Sequence, residues 1–406
     1  MTRDTRQKLT IGVATTLMMA VMVMAGCQSG KSNHEKWKQQ ATQRWHQMRS
    51  SVFFDMAKQQ YEAGDLKRAR KSVQKGLRVD SDNARLQMLA GRIALEKGNL
   101  ERSFHLFERA VKADKKLAKA HYYKGVVLQR WQQYKEAQTS YQRAYEIKPD
   151  EVAYLIARSE MLVQQNQIDQ AAKLLEDKRT YFDQNSTIRA ALGHLYNMQS
   201  RYDRATVMFK EASLLDPENE KLTEELALAQ LAAGQAEQAR RTFKQLFATS
   251  SQVKRADLRR ALANAQVQTG RLKQAEQTYL KLAQSEQGGA RDWIRLAELA
   301  WQQDQLGATL DAANRVMDEA PQNPRGYMLA GLVLDKRGEI DKALTMFDRA
   351  AELAPENAKP LILRGLSLQN AGRRSAAVDA YQKALKRRPD DTRVKQLIAT
   401  AKPKRS

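Results

Sequence analysis

Cysteine is nearly absent from this chain: Cys27 is the one cysteine in 406 residues. A lone thiol builds neither a disulfide framework nor a multi-cysteine metal site. Proline is scarce at eight, and aromatics are only 7% of the residues. No segment alternates apolar and polar residues over a useful length, so no strands are expected. The five histidines (His34, His46, His105, His121, His194) are scattered, without the paired spacing of a zinc site. Neither a glycine-rich phosphate loop nor a Gly-x-Ser-x-Gly elbow occurs. The expectation is a chain that is not an enzyme, with no cofactor, no metal and no small-molecule substrate.

Ala, Leu, Gln, Glu, Lys and Arg dominate, which is the usage of a mostly helical protein. A hydrophobic content of 42% is enough to bury a core. The net charge of +23 is unevenly placed. Residues 28–117 and 358–406 each carry about +10, while 152–357 sum to about −1. A nucleic-acid binder would not leave half its length neutral. Basic ends suit solvated helix faces or contact with anionic lipid or glycan.

Near the start, Arg3, Arg6 and Lys8 precede an apolar run from Ile11 to Ala25, then Gly26 and Cys27. A basic start, a short apolar stretch and small residues before a cut read as a secretory signal, and the run is short for a spanning helix. Met24-Ala25-Gly26-Cys27 resembles the lipobox of bacterial lipoproteins, with Met24 where Leu is usual. The resemblance implies cleavage before Cys27, acylation of its sulfur and amino group, and lipid anchoring in the cell envelope. Gln28, in place of an Asp, favours the outer membrane facing the periplasm. An uncleaved inner-membrane anchor is the alternative. Residues 28–33 read as a tether. Trp37, Ala41, Trp45, Met48 and Val52 then share one helical face, read as a cap over the open end of the segment after it. Two tryptophans there would also suit a lipid interface.

From Ser50 a 34-residue period sets in, with starts at 84, 118, 152, 186 and 220. After two extra residues, Lys254 and Arg255, it resumes at 256, 290, 324 and 358. Position eight is small (Gly91, Gly125, Gly193, Gly331, Gly365; Ala57, Ala227, Ala263, Ala297; Ser159), which lets two helices cross closely. Position twenty is Ala in eight of ten repeats, and position twenty-four is mostly aromatic (Phe107, Tyr141, Phe209, Phe243). Glycines near position fifteen (Gly64, Gly98, Gly234, Gly270, Gly338, Gly372) end the first helix. Prolines at position thirty-two (Pro149, Pro217, Pro321, Pro355, Pro389) stop the second.

These slots resemble the tetratricopeptide repeat. The resemblance implies an all-α, right-handed α-solenoid of ten helical hairpins with capping helices. The expected division is a signal peptide (1–26), lipidated Cys with tether and cap (27–49), repeats one to six (50–253), repeats seven to ten (254–391), and a capping helix with basic tail (392–406). Lys178 in the fourth repeat, and Leu246 and Leu282 in the sixth and seventh, replace the expected alanine at position twenty-seven. Residues 246–258 are the expected bend.

By the same resemblance, positions 2, 5, 9, 12 and 13 face a concave groove. In repeats two and three these include Arg85, Met88, Arg92, Lys119, Tyr122, Val126 and Arg130. In repeats eight to ten they include Arg291, Ile294, Trp301, Arg325, Met328, Leu332, Lys359, Ile362 and Leu366. Such a lane could take an extended peptide or a helix; the alternative is that these residues pack against neighbouring first helices. Arg260 and Asn264 imitate part of a chaperone-tail clamp, but Arg295 and Leu329 stand where it needs Asn and Arg, so that specificity is rejected. The functional expectation is a membrane-anchored adaptor that binds other envelope proteins, in pilus or secretin assembly, exopolysaccharide export or cell-wall enzyme scaffolding. The alternative is an anionic glycan- or lipid-surface binder using its basic ends. A regulator of envelope lipid synthesis is weaker, since that build carries a C-terminal cysteine module and no cysteine follows Cys27.

Overall fold

A computed structural model describes residues 34–249 and 255–401. Cys27 and the apolar run before it lie outside the described residues. Among the described residues there are helices and turns and no strand, so the chain is an all-α helical repeat solenoid. The chain divides into two compact bodies, one ending at Asp183 and the other starting at Gln184.

In the first body the hairpins are α1 (34–62) with α2 (Leu66–Val79), α3 (Ala84–Glu96) with α4 (Leu100–Ala113), α5 (Ala118–Arg130) with α6 (Tyr134–Ile147), and α7 (Val152–Gln164) with α8 (Ile168–Glu176). In the second they are α9 (Ser186–Met198) with α10 (Tyr202–Leu215), α11 (Glu220–Ala232) with α12 (Ala236–Thr249), and α13 (Ala256–Gln268) with α14 (Leu272–Ala283). The last three are α15 (Ala290–Gln302) with α16 (Leu306–Glu319), α17 (Pro324–Lys336) with α18 (Ile340–Leu353), and α19 (Lys359–Asn370) with α20 (Arg374–Arg387). A closing helix, α21 (Thr392–Ala401), buries Val394 and Ala401 against the last hairpin.

The packing logic of each hairpin is sharper than the period alone shows. The position-eight glycine faces the position-twenty-four ring across the hairpin. A Cβ at Gly91 would lie 2.6 Å from Phe107, and one at Gly125 or Gly193 would lie 2.7 Å from Tyr141 or Phe209. These rings are among the largest fully buried side chains, so the missing methyl is what allows the aromatic to seat. Asp65, Asn83, Asn99 and Asn185 cap the following helices, each accepting from a backbone N–H three residues on.

Position fifteen is left-handed even where it is not glycine. Gln132, Asn166, Ser200 and Asp304 take φ of 57–60°, beside the six glycines at 71–79°. The turn forces this: Gln133 N–H reaches Leu128 O at 2.9 Å and Gln132 N–H reaches Gln129 O at 2.9 Å, satisfying the last carbonyls of α5. A side chain held there costs about 1–2 kcal/mol. Gln132→Gly is therefore expected to stabilise the first body by roughly 0.5–1 kcal/mol, net of the glycine's chain entropy. A lowered thermal midpoint for that variant would contradict the account.

One sequence expectation needs correction. The boundary at 49/50 does not exist, because residues 34–62 are one helix. Its packed side carries Ser50, Phe54, Ala57 and Tyr61, whereas Trp37, Ala41, Trp45, Met48 and Val52 are exposed. At 3.6 residues per turn the two faces are about 170° apart, so a helix that turns Ala57 inward turns the tryptophans out. The expected cap does not form. On either side of the expected bend at 246–258, Leu246, Leu258, Phe243 and Ala261 share one buried cluster. Residues 250–254 lie outside the described residues. The fourth hairpin, already marked by Lys178, is the irregular one. There α8 runs nine residues against fourteen in α6 and α10, and ends two residues before Lys178. An ammonium cannot take the buried place that alanine fills in other repeats.

Candidate functional site

First helices of successive repeats touch one another in the second body, α11 with α13, α15 with α17 and α17 with α19. This lateral contact decides the fate of position five. Met88, Ile294 and Met328 are buried, at 4–7% exposure; the two methionines are core residues, not groove anchors, and Ile294 is the floor of the hollow described next. A helix with neighbours on both sides buries more than one stripe, and position five falls on the flank.

What remains open in repeats eight and nine is basic. Arg291, Arg295 and Arg325, with Ile294 at the floor and Asn323 beside it, surround a hollow of about 390 Å³. Glu298 at position nine sits among them, 2.9 Å from Arg295 and 3.6 Å from Arg325. A second hollow, of about 340 Å³, is lined by Asn264, Val267, Arg295, Glu298, Leu299 and Gln302, among others. In the last repeat Lys359, Ile362, Leu363 and Leu366 meet Arg388, Asp391 and Arg393 around about 650 Å³. The lane is thus arginine-rich with apolar flooring.

Several expected groove residues have structural duties instead. Arg260 is clamped to Asp292: Nε donates to Oδ1 and Nη2 to Oδ2, both at 2.7 Å, and Nη2 also reaches Gln287 O at 2.9 Å. Asp292 is fully buried, so the pair belongs to the join between α13 and α15. Its hydrogen bonds and charge raise the Arg260 guanidinium above its ordinary range. Asn264 accepts a 2.6 Å hydrogen bond from the Tyr279 hydroxyl. Trp301 is half-buried, with the Lys336 ammonium 5.4 Å from its ring centroid. Leu332 is half-buried.

In the first body Arg85, Lys119 and Arg130 are exposed and Val126 is half-buried. Arg92 lies between two rings, 4.3 Å from Tyr61 and 5.0 Å from Tyr123. Burial and a hydrogen bond to Glu96 push the Tyr61 phenol up to about 12. Tyr122 packs on Tyr123, Tyr141 and Tyr154 at centroid distances of 5.1–5.4 Å. Burial raises its phenol and pushes that of Tyr154 up to about 12. These phenols are neutral packing groups.

Sequence reading missed two features. Arg295 is one helical turn from Arg291, and that i,i+4 pair was visible in the sequence. Less visible is a basic hollow of about 640 Å³ between α4, α5 and α6, lined by Arg109, Lys112, Lys115, Lys124 and Arg143, with His105, His121, Val111 and Glu108. Its members come from three helices and the turn between α4 and α5, so no local pattern announces it. Burial lowers the His121 imidazole below its ordinary range, leaving the charge to lysine and arginine.

Among the described residues no group of three or more His, Cys, Asp or Glu could hold a metal ion. None of their helices is long and apolar enough to cross a membrane.

Comparison with solved structures finds repeat proteins of low identity. A Pseudomonas aeruginosa PilF structure aligns at 13% identity and TM-score 0.44, covering 50% of this chain and 91% of its own. A tetratricopeptide repeat protein from Parabacteroides merdae aligns at 16% and 0.43, covering 57% and 91%. Yeast Tom70 aligns at 13% and 0.39, covering 87% and 88%. No curated protein sequence matches. The tetratricopeptide repeat profiles match residues 54–117 and 294–358, then 196–254, 231–297 and 334–401, and also 118–151. They cover well over half the chain and leave out the irregular α7–α8 hairpin. On the strength of these matches the chain belongs to the tetratricopeptide repeat family, a scaffold for binding other proteins.

Proposed function

We propose that this protein is a non-catalytic adaptor of a bacterial cell envelope, held at a membrane through Cys27, that gathers envelope proteins by receiving their acidic segments. The carrying observation is the arginine-rich hollow of Arg291, Arg295 and Arg325 over Ile294. Guanidinium groups bind carboxylates with two parallel hydrogen bonds, and the apolar floor suits an interleaved side chain. The Met24-Ala25-Gly26-Cys27 resemblance supports the anchor, and pilus or secretin assembly, polysaccharide export and cell-wall enzyme scaffolding are the settings that build suits.

Photo-cross-linking from position 295 in intact cells would identify the partner, and synthetic segments of it would then be titrated against the purified chain. Arg291→Glu/Arg325→Glu is expected to weaken binding at least about tenfold, or roughly 1.4 kcal/mol, with the helical circular dichroism unchanged. Binding that ignores both substitutions removes the groove reading. Protein taken from membranes whose Cys27 carries no acyl group by mass spectrometry removes the anchor.

The basic hollow around Lys112 and Lys115 favours a second reading, binding of an anionic glycan by the first body. That reading expects affinity for a uronic-acid polymer to fall steeply with salt; salt-independent binding counts against it.

A further inference from the structure

The first helix offers solvent a face that neither the repeat nor the groove explains. Along α1, Trp37 is 67% exposed, Trp45 50%, Met48 64%, Val52 59% and Met56 44%. At 3.6 residues per turn these five fall within an arc of about 100°, opposite the side that packs on α2 and α3. The stripe runs for about 29 Å. Solitary exposed apolar residues are ordinary on a protein surface, but five aligned on one helix mark an interaction site.

Basic residues border this stripe. Lys38 and Arg49 lie along one edge and Arg44 along the other, and within α1 Glu35 is the one acid before Asp55. Arg49 also stacks over Trp45, 5.0 Å from the ring centroid. A narrow apolar face with tryptophans and flanking lysine or arginine is the design of a helix lying in the plane of a bilayer surface. The chemistry discriminates between occupants. A second copy of the chain would bring a stripe with the same basic edges, and like charges would face each other. A peptide needs a groove, and a single convex helix has none. A bilayer needs neither and supplies the opposite charge.

We infer that α1 lies on an anionic lipid surface, with Trp37, Trp45, Met48 and Val52 in the interface and Lys38, Arg44 and Arg49 on the headgroups. This rests on the membrane-held reading only for the presence of a bilayer nearby; the contact is made by the helix itself. A face that also touches the bilayer orients the first body, where a tether alone leaves it free to tumble.

The full chain is mixed with phosphatidylcholine vesicles containing phosphatidylglycerol and brominated acyl chains. The expected result is quenching of tryptophan emission that disappears in Trp37→Phe/Trp45→Phe, Trp131, Trp293 and Trp301 giving the unquenched background. Met48→Glu/Val52→Glu, checked for unchanged circular dichroism, is expected to lose quenching and to lower vesicle affinity at least about tenfold. Co-sedimentation without quenching overturns the inference while leaving the anchor intact. Quenching in a chain whose Cys27 is unmodified by mass spectrometry upholds it and removes the anchor. A doubled mass in vesicle-free solution that Met48→Glu abolishes, again without quenching, assigns the stripe to self-association and overturns the proposal.

Discussion

Arg260→Leu is expected to destabilise the second body by about 3–5 kcal/mol, the range for stripping one partner from a buried ion pair. Asp292 is fully buried, and its two carboxylate oxygens accept from Nε and Nη2 of Arg260 at 2.7 Å. Leucine at 260 would leave that carboxylate in a site that solvent does not reach. It would also release Gln287 O, which holds the turn leading into α15. That turn tolerates little change: a Cβ at Gly288 would fall 1.9 Å from the Leu282 carbonyl oxygen. The position of Asp292 in the first turn of α15 offsets part of the loss, because a helix N-terminus favours negative charge. In a repeat array the effect should be local, so hydrogen exchange across α13 to α15 is the measurement. Protection should fall there first. The double variant Arg260→Leu/Asp292→Leu is expected to recover most of the loss, since apolar replacement of a whole buried pair is often neutral. If Arg260 instead met a ligand, its removal would weaken partner binding and leave exchange unchanged.

Gly331→Leu is the second large effect, expected to cost roughly 1–3 kcal/mol through overpacking. A Cβ at 331 would lie 2.6 Å from Cε1 of Phe347 and 3.0 Å from its Cζ. Phe347 is fully buried on α18, so its ring cannot swing away without opening the hairpin. Alanine should cost less. Ala227 faces Phe243 and Ala263 faces Tyr279 in other repeats, so the hairpin can widen to take one methyl. Thermal unfolding of the Ala and Leu variants should therefore rank them. A silent Gly331→Leu would mean that the repeat register has been misassigned.

The register itself was open to reading because each hairpin is built from local rules. Small residues at position eight, alanine at twenty and proline at thirty-two recur every 34 residues, and each answers a steric demand met within one repeat. The left-handed turn was legible at six glycines and hidden at Gln132, Asn166, Ser200 and Asp304. There the hydrogen bonds closing the helix outweigh the side chain's dislike of positive φ. Groove residues were legible only in part. Arg291 and Arg325 gather at one hollow with Ile294, and Lys359, Ile362 and Leu366 gather at another. Met88 and Met328 are lost to the core, and Arg260 to Asp292. Periodicity identifies a face of a helix but not which neighbour covers it.

The sequence by itself determined the all-α hairpin, its length, its turns and the family, because these follow from contacts between residues at most a few tens of positions apart. Only the tertiary structure decided which position-five side chains are buried, that the exposed lane is arginine-rich, that five cations from three helices and a turn share one hollow, and that the tryptophans of α1 face outward. Those outcomes depend on how one hairpin lies against the next. Two side chains that look equivalent along the period become core or surface according to whether another helix lies over them.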